Sequence, residues 1–177
     1  PMIFAKRVAP VQINWLGYPG PMGHPEIDYI IADKRVIPPE SRNSYSEKII
    51  DLPCFQVNDQ SRKISDKTFT KLDLGIPEDH FVFCSFNANA KLTPETFKAW
   101  MQILQAVQQS SLLLYAENEE VKYNLRQLMK IHGVQRDRVV FAEWLIPEDN
   151  LARYKTADLF LDTLPFNAGT TASDALW

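Results

Sequence analysis

The chain has 177 residues, 45% of them apolar, with a net charge of −3 and a pI near 5.6. That length allows one domain or parts of two around a real core, and the balanced charge supplies no basic face of the kind nucleic-acid binding uses. No apolar run approaches the ~20 residues of a membrane span and nothing at the start reads as a signal peptide, so neither nucleic acid nor a membrane is an expected partner.

Pro1 is not an initiator residue. Gln12 to Leu16 and Ile27 to Ala32 read as strands separated by a Gly/Pro loop, and Glu47 to Leu52 as a further short strand. Asn58 to Lys67 is polar and aperiodic, in the manner of a linker. From Phe81 the pattern becomes regular. Phe81 to Phe86 is a short apolar run suited to a buried parallel strand. Thr93 fits an N-cap, Pro94 the first helical position and Glu95 the positive helix end. Phe97, Trp100, Met101 and Leu104 then line one face of that helix. Leu112 to Tyr115 is the next strand and Asn118 to His132 the next helix, closed by Gly133. Arg138 to Ala142 (strand), Pro147 to Thr156 (helix) and Asp158 to Asp162 (strand) follow, and a helix begins at Thr171. A helix of two turns normally continues, so the natural protein is expected to extend beyond both ends of this chain.

Strand–helix alternation implies a parallel sheet with right-handed crossovers, an α/β, Rossmann-like class. Ligands in such sheets bind beyond the carboxyl ends of the strands, which directs attention to the loops after Phe86, Ala142 and Asp162. After the last of these, Gly169-Thr170-Thr171 runs from a strand into a helix start, with Asp174 three residues on. Backbone N–H groups and two hydroxyls could hold a phosphate there, with Asp174 accepting from a ribose. The same residues also fit simple helix capping. Lys91, after Asn87-Ala88-Asn89-Ala90, can face a phosphate at the same sheet edge or stand as a solvated loop lysine. Trp15 to Gly20 ends a strand in a turn whose glycines permit close ligand approach. His24, His80 and His132 lie far apart with no metal-ligand spacing, and there is no Walker loop and no Gly-x-Gly-x-x-Gly. Cys54 and Cys84 form no Cys-x-x-Cys, and Cys84 sits in an apolar run. A buried free thiol and a reducing, cytoplasmic compartment are expected.

Several segments occur in a telling order. They are Ala9-Pro10-Val11-Gln12, Trp15-Leu16-Gly17-Tyr18-Pro19-Gly20, Asp28-Tyr29-Ile30-Ile31 and Tyr45-Ser46-Glu47-Lys48. Phe86-Asn87 with Lys91, Ala157-Asp158-Leu159 with Leu161-Asp162-Thr163, and Thr170-Thr171 through Trp177 complete the series. The set resembles the catalytic region of the O-GlcNAc transferase family, including its SPINDLY branch, over nearly the whole chain.

The resemblance implies a GT-B fold of two Rossmann-like halves, incomplete at both ends here. Residues 1–75 would be the end of the N-terminal half and 76–177 the start of the C-terminal, donor-binding half. It implies transfer of a sugar, GlcNAc from UDP-GlcNAc, to Ser or Thr hydroxyls of a protein or peptide acceptor. No cofactor or metal is implied beyond the nucleotide-sugar donor. Lys91 matches the lysine that faces the diphosphate, and Asn87 belongs to the same donor-binding motif. Thr170 and Thr171 match the phosphate-binding pair, and Asp174 the acid that holds the ribose. Leu16, Gly17, Tyr18 and Pro19 match the loop lining the sugar pocket, and Leu145 falls where main-chain atoms bind the uracil. Tetratricopeptide repeats usually precede this region, and the family's functional histidines lie upstream of Pro1, so no general base is nominated. The piece alone is expected to be inactive.

The departures are specific. Ala88 replaces a common glutamine, Gly169 a histidine, and Pro147 and Asn150 a lysine and a histidine that often contact the nucleotide. Glycine at the position of Gly169 also occurs in the SPINDLY branch, which uses GDP-fucose. A GDP-fucose-dependent O-fucosyltransferase and a non-catalytic, peptide-binding member of the family are therefore the alternatives.

Overall fold

The computed structural model describes residues 3–56 and 59–177. Pro1 and Asn58, which enter the expectations for the chain start and the polar stretch, lie outside them. The chain forms two compact units, residues 1–58 and 59–177.

The first unit is built on a three-stranded parallel sheet in the order β1 (Ile13–Asn14), β2 (Tyr29–Ala32), β3 (Lys48–Asp51). Each strand is shorter than the span read from the sequence. Alternation along β2 turns Ile30 and Ala32 inward, where they meet Ile37 and Phe55 in a small core flanked by Tyr45 and Ile49. Asp33, just past β2, accepts N–H bonds from Arg35 (2.8 Å), Val36 (2.9 Å) and Phe55 (2.5 Å). Burial pushes its carboxyl up, but these three donors outweigh it and hold the group below the usual carboxylate range.

The second unit carries a four-stranded, all-parallel sheet in the order β6 (Val139–Ala142), β5 (Ser110–Tyr115), β4 (Phe81–Ser85), β7 (Leu159–Phe160). The helices are α1 (Pro94–Ala106), α2 (Glu119–Ile131), α3 (Pro147–Arg153) and α4 (Thr170–Leu176). On one face, Phe83, Leu112 and Leu114 pack against Phe97, Trp100, Met101 and Leu104 of α1 and Leu125 and Met129 of α2. On the other, Val82, Cys84 and Leu113 pack with Ile76, Phe86 and Tyr154. Burying one such large apolar side chain stabilises by about 1.5–3 kcal/mol, so this two-faced core fixes the sheet that presents the loops. Thr93 accepts from the Thr96 N–H as the N-cap of α1, and Asn118 does the same for α2 through Val121.

The second compact unit begins at Asp59, so the segment ahead of β4 lies within it. Ser65 N–H donates to the Glu148 carbonyl, and Lys67 Nζ reaches the Asp149 carboxylate at 2.5 Å. Much of the polar stretch read as a linker is thus held against α3. Among the described residues, no helix is long and apolar enough to cross a membrane.

Candidate functional site

The strand order of the second unit locates its binding crevice. From β4 the chain adds β5 and then β6 on one side, and β7 returns to the other side of β4. The order reverses between β4 and β7, so their carboxyl ends diverge into a crevice, as at the switch point of a doubly wound sheet. The two loops leaving these strands are 86–93 and 161–169.

Those loops are joined by predicted site residues. Lys91 ends a 3-10 turn (Asn89–Lys91) after β4. Its Nζ donates to the Asn167 carbonyl at 3.1 Å and lies 4.6 Å from the centre of the Phe166 ring. Asn87 is only 4% exposed, and its Oδ1 accepts from the Thr171 hydroxyl at 2.9 Å. Thr170 and Thr171 are the first two residues of α4, whose N-cap is Gly169, with no side-chain capping bond. Neither threonine caps the helix. The Thr171 hydroxyl spans the crevice instead, while its carbonyl accepts from the Tyr154 hydroxyl at 3.2 Å.

Asp174 does not act at the helix N-terminus either. Its Oδ1 lies 2.7 Å from Arg62 Nη1, a pair that is largely buried. The approach is misaligned for a hydrogen bond, and among the described residues that oxygen has no hydrogen-bond partner. Asp174 therefore has its charge compensated by Arg62, while among the described residues its Oδ1 is buried without a hydrogen bond.

Leu145 lines a cavity of about 260 Å³ with Phe86, Tyr115, Trp144, Asn150 and Thr171, at the carboxyl ends of β4, β5 and β6. A larger cavity of about 540 Å³ lies between α2 and the Gly133–Arg136 turn that leads into β6. It sits at the amino end of β6, opposite the edge where ligands of such sheets bind, so its size does not make it the site.

Three residues that sequence alone does not assign to the site shape the crevice. Arg153, 4% exposed, donates to the Glu143 carbonyl (2.6 Å) and Asn150 Oδ1 (2.5 Å), with its guanidinium 4.6 Å from the Phe86 ring centre. Burial pulls its pKa down from the ordinary arginine value. An arginine inside the otherwise apolar Leu151-Ala152-Arg153-Tyr154 was the available signal. Asn89 ties two loops together, donating to the Tyr115 carbonyl (2.9 Å) and accepting from Glu117 N–H (2.8 Å). Asp162 folds the loop after β7, accepting from Thr163 N–H and Ala168 N–H, each at 2.7 Å, and from Asn167 Nδ2 at 2.9 Å. That loop in turn presents the Asn167 carbonyl to Lys91.

The remaining predicted residues, Leu16, Gly17, Tyr18 and Pro19, belong to the first unit. They follow β1, and Leu16 holds a left-handed backbone, φ 61°, unusual for leucine. Strain of this kind gathers at functional loops and persists only where the surroundings enforce it.

Comparison with known proteins gives the chain a family. The profile described as Glycosyl transferase family 41 matches residues 1–71 and 60–177. The chain is 36% identical over 181 residues to the probable UDP-N-acetylglucosamine–peptide N-acetylglucosaminyltransferase SEC of Arabidopsis thaliana, covering 99% of this chain and 18% of that protein. It is 30% identical over 181 residues to the corresponding probable transferase SPINDLY of Solanum lycopersicum, covering 98% and 19%. Among solved structures it resembles a lysine-to-methionine variant of the Thermobaculum terrenum O-GlcNAc transferase, with a TM-score of 0.80 and 30% identity over 98% of this chain and 33% of that one. The chain thus spans less than a fifth of the two plant relatives. The likeness gives its two parallel-sheet α/β units the GT-B class of fold expected from the sequence.

Proposed function

Because the chain belongs to glycosyl transferase family 41, we propose that it carries the donor-binding part of a protein O-glycosyltransferase that moves GlcNAc from UDP-GlcNAc to Ser or Thr hydroxyls. The observation that carries this reading is the convergence of Lys91 and the Asn87–Thr171 pair on the β4/β7 switch point. In the transfer, the acceptor's Ser or Thr oxygen bonds to the sugar C1 and passes its proton to a general base not nominated among these residues. The bond from C1 to the diphosphate oxygen breaks, and its electron pair leaves with the diphosphate. Aimed donors and a cation that meet this growing charge lower the barrier. The Lys91 ammonium supplies the cation, and the Thr170 hydroxyl with the N–H groups of Thr170 and Thr171 supplies the donors, the Thr171 hydroxyl being engaged by Asn87. No metal is needed for that neutralisation.

The remaining assignments follow the family resemblance, residue by residue. Asp174 is assigned to a ribose hydroxyl by the family resemblance, and its carboxylate must turn from Arg62 to meet it. The base enters the cavity beside Leu145 and meets main-chain atoms there. Leu16, Gly17, Tyr18 and Pro19 of the first unit are assigned to the sugar by that resemblance. The acceptor is a protein or peptide.

A second reading keeps the reaction and changes the donor to GDP-fucose. Gly169 favours it, because this N-cap adds no side chain to the phosphate end of the crevice. The two readings separate when the full-length protein is incubated with either donor and a Ser/Thr-rich peptide, followed by mass spectrometry. An N-acetylhexosamine adduct supports the first and a deoxyhexose adduct the second. Nucleotide binding without any adduct points to a non-catalytic, peptide-binding member and rejects both.

A further inference from the structure

The segment Tyr45-Ser46-Glu47-Lys48 has no part in the site described above, yet two of its side chains reach the loop that the proposed function assigns to the sugar. Between Leu16 and Gly23 that loop makes no backbone-to-backbone hydrogen bond among the described residues. Side chains hold it instead. Asn14 Nδ2, at the end of β1, donates to the Tyr18 carbonyl at 3.0 Å. The Tyr45 hydroxyl donates to the Pro19 carbonyl at 2.8 Å. Glu47, buried, accepts from Met22 N–H at 2.6 Å, and Ser46 Oγ holds its other oxygen at 3.2 Å.

We propose that Tyr45 is a positioning residue for donor-sugar recognition, fixing the Tyr18-Pro19 segment through its hydroxyl. The inference rests on the reading that Leu16–Pro19 face the sugar. The Tyr45 ring packs against the core of Ile30, Ala32, Ile37 and Phe55, so the position of its hydroxyl is set by the buried core of the unit. Pro19 has no N–H, so its carbonyl is the only main-chain polar group by which that residue can be held. With the adjacent Tyr18 carbonyl taken by Asn14, both peptide units are oriented and the exposed Tyr18 ring folds back over Gly20. A Cβ at Gly20 would overlap the end of that ring as it stands. Burial, with Tyr18 and Glu47 adding to it, pushes the Tyr45 phenol up, so the group remains a proton donor. A loop held at two successive carbonyls presents its Tyr18 face in one geometry, which is what discrimination of a sugar requires.

The test uses the full-length protein with Tyr45→Phe, which keeps the ring and deletes the donor. UDP and UDP-GlcNAc are titrated calorimetrically into parent and variant. The expected result is unchanged UDP affinity with UDP-GlcNAc affinity weakened roughly three- to tenfold, the scale of one lost neutral hydrogen bond. Asn14→Ala, outside the core, is expected to give the same split. A purely structural role would lower the melting temperature and leave the ratio of the two affinities unchanged, which overturns the proposal. If the parent binds UDP but gains nothing from the sugar, the positioning role fails while the diphosphate site stands. If the parent binds neither ligand, the donor-binding reading itself fails and the proposal goes with it.

Discussion

The Thr171 hydroxyl donates to the carboxamide oxygen of Asn87 over 2.9 Å, joining the start of α4 to the carboxyl end of β4. Asn87 is almost wholly buried, and its Nδ2 is engaged by Ser85 Oγ at 3.2 Å. The orientation of the carboxamide is therefore fixed from both ends. Thr171→Val leaves a buried acceptor unpaired, at a cost of about 1–3 kcal/mol. A lowered melting temperature and weaker UDP binding are both expected. Thr171→Ser keeps the hydroxyl and should restore both. A valine variant indistinguishable from the parent in melting and in binding would dissolve the link.

Arg62 and Asp174 make a second prediction. The guanidinium compensates the carboxylate but leaves its Oδ1 without a hydrogen bond. A ribose hydroxyl reaching Asp174 competes with Arg62 for the same oxygen. Arg62→Ala is thus expected to tighten UDP several-fold and Asp174→Asn to weaken it. Weaker binding in Arg62→Ala would instead make the arginine part of the ligand's own contact surface.

Acid sensitivity follows from the contact of α3 with the preceding segment. The hydrogen bond from Lys67, then one from Ser65, holds the Asp149 carboxyl below the usual carboxylate range. A carboxyl depressed on folding contributes stability that is present above its unfolded value of about 3.9 and is lost as pH falls through the lower, folded value. Melting temperature should therefore fall on acidification below about pH 4, and Asp149→Asn should make that fall shallower. An acid limb as steep in the variant as in the parent contradicts the assignment.

The two cysteines should behave oppositely. Cys54 is exposed, whereas burial pushes the Cys84 thiol up to about 12. The thiolate is the nucleophile, so a thiol held protonated is inert. Alkylation near about pH 8, mapped by mass spectrometry, should label Cys54 and spare Cys84 until the protein unfolds. Rapid labelling of Cys84 would mean that β4 is not packed as described.

What the sequence made legible was local or topological. Thr93, Pro94 and the Phe97–Leu104 face announced α1, because capping and helical period are written within one element. The alternation of strands and helices announced the parallel sheet, and with it the edge where a site belongs. The choice between capping and ligand binding at Thr170 and Thr171 was not legible. It depends on Asn87, 84 positions away, which takes the Thr171 hydroxyl while Gly169 serves as N-cap. The polar stretch ahead of Phe81 misled for a related reason. Its Arg62, Ser65 and Lys67 find partners in α3 and α4, and no period in the segment itself records them. The strand read as Asp158 to Asp162 is Leu159–Phe160, because the Asp158 side chain turns back to accept from Val82 N–H at 2.7 Å.

The central claim is that the β4/β7 switch point holds the donor's diphosphate. Calorimetric titration of UDP into the full-length protein and its Lys91→Ala variant tests it most directly. The account predicts saturable UDP binding by the parent and a loss of roughly tenfold or more in the variant, the scale of one charge-assisted hydrogen bond. Equal affinity in the two proteins would remove Lys91 from the site and contradict the account.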